Sequence, residues 1–365
     1  MSIEAGRSRP ILYLTAAAVT VLLIISLYSE IEGLRWRALK KVSRESYRLG
    51  TIVRITAYGD DSEKLNNAVD LSMKEIERLE NLLSVNIPSS DVSLVNRTSG
   101  KTHVKVSEET AFLLEKALEW SERTGGAFDP TVGAIVKLWG IGTESAGIPD
   151  PEQLKEAVVM TDFKKVSVMH EGNEAFVKTA KGQRIDLGGI AKGYVTDRVR
   201  EILAREGISS ALIDLGGNIA VIGHPPKEKK WKIGLQDPFG TRGKYFGIVE
   251  VSDLSIVTSG PYERYFESGG VRYHHIFDTS TGYPSRSDLA SVTIISGSST
   301  DADALSTALF VMGSEKSRSF LREHKDIDAV LVAKRAGGNI AYVTEGLDGV
   351  FLLKDPGIKL DRAWR

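Results

Sequence analysis

Two identical five-residue words, IDLGG at residues 185–189 and again at 213–217, each carry an aspartate into a glycine pair. Glycine permits positive φ and close backbone approach to a bulky group, so each word is either a plain strand-end turn or a place where main chain meets a ligand. Their sequels differ. IAKGYVTDRV after the first reads as a helix with Lys192 in its first turn, where free N–H groups and an ammonium can meet an anion such as a phosphate. NIAVIG after the second reads as a strand, which argues against simple duplication. Further on, in TDADALSTALFVMG, Asp303 and Thr307 stand four apart. On a helix they share a face and offer a carboxylate and a hydroxyl to one hard cation, Mg²⁺ rather than zinc. The same stretch also admits a local role, because Thr300 with Asp303 has the spacing of a capping box. His274 and His275 are adjacent, so on a strand at most one faces a given site. That one is the best general-base candidate here, the alternative being a partly buried structural hydrogen-bonder.

Other chemistries lack their residues. The chain has no cysteine, which excludes disulfides, thiolate metal sites and a cysteine nucleophile. A net charge of −1 with no local basic patch provides no field for a nucleic acid. No GxGxxG follows a strand, and neither a Walker lysine loop nor a GxSxG elbow occurs. At 42% hydrophobic and 26% charged, the 365 residues have the composition of a folded globular protein.

The elements that must position these residues follow from periodicity. Residues 11–28, uncharged and mostly apolar behind Arg7 and Arg9, read as one N-terminal transmembrane helix. No cleavage site or lipidation cysteine follows, so residues 1–30 are expected to be an uncleaved membrane anchor and 31–48 a mixed-charge connector. Arg35, Arg37, Lys40, Lys41 and Arg44 would, by charge count alone, put the C-terminal side in the cytoplasm. From residue 49 the pattern is globular. TIVRITAY alternates as a strand, and Leu65, Val69, Met73, Ile76, Leu79 and Leu83 recur as on a long amphipathic helix. Ser107 caps a second helix reaching Thr124 before Gly125 and Gly126, and Asp129 with Pro130 predicts another helix start. Short strands then dominate, QRIDL among them, broken by helices at 190–206 and 301–312. Hairpin-like links predict an α+β fold with mixed, largely antiparallel sheets and packed helices, not a doubly wound sheet.

Taken in order, GGAFDPTVG, IDLGGIAKGY, IDLGGN, IVTSGPYERYF, HHIFDTSTGYP and DADALSTALFVMG resemble the ApbE family of FAD:protein FMN transferases, over residues 49–365. The resemblance implies a Mg²⁺-dependent transfer of FMN from FAD to a threonine or serine hydroxyl of a target protein, through a phosphoester bond and with release of AMP. It implies that Leu49, Asn86, Ala127, Phe128, Asp129, Asp186, Lys192 and Ile276 bind FAD. Gly189, through its carbonyl, would join Asp303 and Thr307 on the metal, and His275 would deprotonate the incoming hydroxyl beside Asp303 as the second catalytic residue. Two words depart from the family pattern, DLGG where many members have DLS or DLGA, and DTSTG where they have DPRTG. A glycine at 189 still supplies a carbonyl. The first IDLGG is thus expected to meet FAD and metal, and the second to be a supporting turn near the same pocket. The family's partners are flavin-accepting subunits of membrane redox complexes, of the Na⁺-translocating NADH:quinone oxidoreductase or Rnf type. That habit implies a single-pass protein of the cytoplasmic membrane with its catalytic domain outside the cytoplasm, against the charge count. Two alternatives use the same pocket: an FAD pyrophosphatase giving FMN and AMP, and a flavin-binding membrane protein without turnover.

Overall fold

The computed structural model describes Val21 and residues 39–363. The expected membrane segment lies outside the described residues but for Val21, and among the described residues no helix is long and apolar enough to cross a membrane.

Nine strands build the main sheet, in the order Lys40–Arg48 (β1), Thr51–Gly59 (β2), Ser210–Leu215 (β6), Asn218–Gly223 (β7), Ser255–Ser259 (β10), Leu289–Ser296 (β13), Asp328–Ala333 (β14), Asn339–Val343 (β15) and Ile358–Asp361 (β17). All neighbours are antiparallel except β15 with β17. Smaller sheets are formed by Val104–Val106 (β3), Glu174–Lys178 (β5) and Ser167–Glu171 (β4), and by Phe351–Leu353 (β16), Tyr245–Val251 (β9) and Trp231–Gln236 (β8). Tyr265–Ser268 (β11) pairs with Val271–His274 (β12). The helices are Ser62–Leu83 (α1), Asp91–Arg97 (α2), Glu108–Arg123 (α3), Gly133–Trp139 (α4), Pro151–Val159 (α5), Ala191–Arg205 (α6) and Ser299–Glu323 (α7). This is the expected mixed, largely antiparallel α+β architecture.

Both faces of the main sheet are covered where it is most apolar. One carries Ile55, Ile213 and Val292 into a core with Leu65, Val69 and Ile76 of α1, Val195 and Val199 of α6, and Leu305 and Leu309 of α7. The other packs Val221, Ile256 and Val330 against Ile233, Leu235, Phe246 and Phe351 of the β16-β9-β8 sheet. Each such fully buried side chain is worth about 1.5–3 kcal/mol over an exposed one, so these two layers hold the frame that carries the loops between them.

Three expectations are corrected by the fold. Residues 40–48, read as connector, form the edge strand β1, whose hairpin with β2 turns through Leu49 and Gly50 at φ +54° and +70°. Most of β1 stays in water, so its charges cost nothing there and hide the strand from a hydrophobic-pattern reading. QRIDL is not a strand: among its residues only Arg184 makes a bridge, to Val132. The helix after Asp129 starts at Gly133 rather than Pro130, because the Asp129 side chain is committed to a tight turn with Thr131. The helix expected at 301–312 is the first limb of α7: it ends before Gly313, whose φ of +77° no helix accommodates, and a second helical limb runs on to Glu323.

Candidate active site

The first IDLGG is tied down from three sides. Asn96 on α2 clamps the Ile185 backbone with both amide atoms, at 2.6 and 2.9 Å, replacing a sheet ladder. The Asp186 N–H donates to the Pro130 carbonyl at 2.8 Å, and the Asp186 carboxylate accepts from the Gly188 N–H at 2.7 Å. Burial pushes the Asp186 carboxyl above its ordinary range, against that N–H and the charges of Arg264 and Arg184. Gly188 and Gly189 do not take positive φ. Space is the reason for glycine at 189: a Cβ there would stand 3.0 Å from the Phe128 ring and 3.8 Å from Thr307 Oγ1.

The turn feeds α6, and α6 must approach α7 closely. Gly193 makes this possible, since a Cβ on it would lie 2.3 Å from the Ser299 carbonyl oxygen. Docked this way, the Gly193 N–H donates to Asp303 Oδ2 at 2.9 Å and Lys192 Nζ lies 3.3 Å from Asp303 Oδ1. Asp303 is only 3% exposed, so its charge needs these donors. It does not cap α7. That work is done by Ser298, which accepts from the Asp301 N–H, and by Asp197 of α6, which takes the N–H groups of Ser299 and Thr300. One turn on, Thr307 Oγ1 is 3.4 Å from Ser259 Oγ, at the end of β10.

The two histidines separate where β12 ends at His274. His274 is buried, with Nε2 3.1 Å from the Ser285 carbonyl, Nδ1 accepting from the Ile276 N–H at 3.3 Å, and its ring edge-on to Phe310. Both nitrogens are used in the frame. His275 Nδ1 lies 3.1 Å from the Arg264 carbonyl, which also accepts the His275 backbone N–H at 3.2 Å. A carbonyl only accepts, so Nδ1 carries the proton and Nε2 keeps a lone pair. Burial first, then the Arg264 guanidinium, pushes His275 down to about 3, so the ring is neutral at ordinary pH.

These groups line one cavity of about 450 Å³. Ala127, Phe128, Asp129, Asp186, Gly189, Lys192, His275, Ile276, Asp303 and Thr307 all reach its wall. Asp129 is held by Thr131 and by the Phe163 N–H, and burial raises its carboxyl above the usual value despite those donors. Leu49 and Asn86 do not reach the wall: the Leu49 N–H is engaged by Glu80 at 2.6 Å, and Asn86 is exposed beyond α1. The second IDLGG does reach it, through Gly216 and Gly217. So do Arg264, Ser259 and Asn218, which sequence reasoning missed. Asn218 Oδ1 accepts from Thr196 and Ser299 while its Nδ2 is buried without a partner among the described residues. Its place directly after the second IDLGG, and Arg264's place in IVTSGPYERYF, were the available signals.

The donor set suits a hard divalent cation. Asp303 and Thr307 bring oxygen on adjacent turns and Gly189 lies beside Thr307, and among the described residues no group of three or more His, Cys, Asp or Glu comes together elsewhere.

The chain is similar to known proteins over most of its length. A family model described as ApbE family matches residues 49–331. The FAD:protein FMN transferase of Treponema pallidum (strain Nichols) is 39% identical over 333 residues, covering 87% of this chain and 92% of that protein. One from Klebsiella pneumoniae (strain 342) is 37% identical over 286 residues, 78% of this chain and 87% of its own. Among solved structures, the ApbE protein of Thermotoga maritima MSB8 superposes with a TM-score of 0.73 at 36% identity, over 80% of this chain and 94% of that one. The flavin transferase ApbE of Vibrio cholerae superposes with a TM-score of 0.75 at 28% identity, over 86% and 99%.

Proposed function

The chain belongs to the ApbE family, and from that premise we propose that it is an FAD:protein FMN transferase that moves FMN from FAD to a threonine or serine hydroxyl of a target flavoprotein, with Mg²⁺ bound, leaving a phosphoester and releasing AMP. The observation that carries the reading is the meeting, in one cavity, of the Lys192–Asp303 pair, the Thr307 hydroxyl and a His275 whose Nε2 lone pair is free.

In this reading the acceptor hydroxyl oxygen attacks the FMN-side phosphorus of FAD. The bond from that phosphorus to the bridging oxygen breaks, and AMP leaves. The hydroxyl proton passes to His275 Nε2, whose tautomer is set by the Arg264 carbonyl. Burial is the main cause that holds His275 down; the pyrophosphate, arriving beside Lys192 and Arg264, offsets the charges that add to it and so makes His275 a better base as the substrate binds. The Lys192 ammonium receives phosphate oxygens; the N–H groups expected to help it at the start of α6 are largely spent within the fold, those of Ile190 and Ala191 on the Leu187 carbonyl and that of Gly193 on Asp303. Phe128 and Ile276 provide apolar wall for the flavin nucleotide, and Asp129 and Asp186 fix its polar edges. Asp303, Thr307 and the Gly189 carbonyl would hold Mg²⁺, which when bound stabilises negative charge on the transferring phosphate. The acceptors in this reading are flavin-bearing subunits of Na⁺-translocating or Rnf-type membrane complexes, with the catalytic domain outside the cytoplasm on an N-terminal anchor.

The test is intact-mass analysis and in-gel flavin fluorescence of an unmodified Rnf-type acceptor subunit, incubated with full-length protein, FAD and Mg²⁺. The expected product is heavier by one FMN less water, with AMP in equal amount. His275→Gln should slow its formation by about 10²–10⁴-fold, the usual range for a positioned base. Free FMN and AMP with no adduct would replace this reading by hydrolysis of FAD.

A further inference from the structure

A second cavity, of about 330 Å³, adjoins the first behind the Gly216–Gly217 turn, and the two share Ile52, Gly216, Gly217 and Thr258 as wall. Its floor is one face of the main sheet, where Arg54, Asp214 and Ile219 stand in register across β2, β6 and β7. Its side is β8, which contributes the unbroken run Ile233, Gly234, Leu235 and Gln236. Ile233 and Leu235 point to one face of the strand and Gly234 and Gln236 to the other, so the unbroken run follows the strand's edge along the cavity. Among the described residues β8 ends its sheet, bonded to β9 alone, and that edge therefore presents unpaired main-chain donors and acceptors.

The partition between the two chambers holds a second unsatisfied group. Tyr262 lines the second cavity with its ring folded against Gly260, which lines the first; a Cβ on Gly260 would come within 2.4 Å of that ring. The Tyr262 hydroxyl is buried and has no hydrogen-bond partner among the described residues. Burial raises its pKa, so it remains a donor waiting for an acceptor. At the shared mouth Tyr47 and Ile52 face each other across β1 and β2 and are 70% and 56% exposed.

A free strand edge, a neutral buried donor, an apolar step and charges of both signs match an extended polypeptide better than a nucleotide. We propose that this second chamber seats the acceptor polypeptide as a strand added to the β8 edge, its threonine or serine reaching over the Gly216–Gly217 turn into the first cavity. The proposal rests on the transferase reading. Tyr262 then donates to a carbonyl of the incoming segment, and Tyr47 and Ile52 receive its apolar flank.

The test uses full-length protein, FAD, Mg²⁺ and an unmodified Rnf-type flavin-accepting subunit as probe, with KM measured separately for FAD and for the subunit. Tyr262→Phe should raise the subunit's KM about five- to tenfold, the worth of one hydrogen bond, with KM for FAD unchanged and the urea unfolding midpoint not lowered, because the hydroxyl has no partner among the described residues. Ile52→Asp should raise it further, because this 56%-exposed side chain is the apolar step at the shared mouth and a carboxylate there opposes the segment's apolar flank. If wild type forms the adduct and both variants keep its KM for the subunit, the chamber is not the acceptor site. A rise in KM for FAD instead assigns it to the nucleotide and overturns the proposal. Failure of wild type to form any adduct overturns the transferase reading and this proposal with it.

Discussion

The two IDLGG turns begin with the same hydrogen bond and end in different backbones. In each, the aspartate accepts from the N–H two residues on, Asp186 from Gly188 at 2.7 Å and Asp214 from Gly216 at 3.0 Å. After that point Gly188 and Gly189 run on into α6 without positive φ, whereas Gly216 and Gly217 take φ of +65° and +90° and fold β6 back onto β7. Glycine is required for different reasons. At 189 it leaves room beside Phe128 and Thr307; at 216 it permits both a left-handed turn and contact with Thr51, whose Oγ1 would lie 2.2 Å from a Cβ. The first turn thus trades a side chain for ligand space, the second for a chain reversal, and both face one cavity. A shared word fixes a local hydrogen bond, but its role depends on what the next residues pack against.

That contrast can be broken by substitution. Gly189→Val should lower FMN transfer by about 10³-fold or more, since it fills the space between Phe128 and Thr307 and displaces groups that must hold their geometry. Far-UV circular dichroism should stay native; normal turnover in this variant would contradict the role given to the first turn. Gly216→Ala should instead act on the fold, lowering stability by about 2 kcal/mol in urea denaturation through strain at positive φ and the clash with Thr51. An unchanged midpoint there would remove the distinction. The smallest effect is expected at Asp186→Asn, which keeps an oxygen for the Gly188 N–H. Because burial raises the Asp186 carboxyl, its folded value exceeds the ordinary 3.8, so the stability it contributes is complete below that value and is lost as pH rises through the folded one. The amide should therefore raise the urea midpoint at pH 7, with the gain gone near pH 3.8. A gain independent of pH would show that charge burial is not its origin.

Much of this molecule was legible along the chain. The helices α1 and α3 followed from apolar spacing and from the cap at Ser107, and the antiparallel character from short links between alternating segments. Ten of the residues singled out for chemistry or binding, from Ala127 to Thr307, converge on one wall. Other features had no local trace. Asn96 grips Ile185 across 89 residues of sequence, and Asp197 caps α7 across 102. β1 carries charges at most positions and is a strand only because β2 lies beside it.

By itself the sequence determined the words and their order: which stretches alternate, which recur at helical spacing, where glycine relaxes the backbone, and which side chains carry a carboxylate, an ammonium or an imidazole. These are properties of a residue and its near neighbours, where propensity and hydrogen bonds act over a few positions. Only the tertiary structure decided that Asp303 faces Lys192 instead of capping its own helix, and that His275 rather than His274 keeps a free nitrogen. It also decided that the second glycine turn walls the same cavity as the first. Each of these depends on a partner brought close by packing of the sheet and helices, and the direction of a side chain toward such a partner is set by the whole core, not by the residues beside it in sequence.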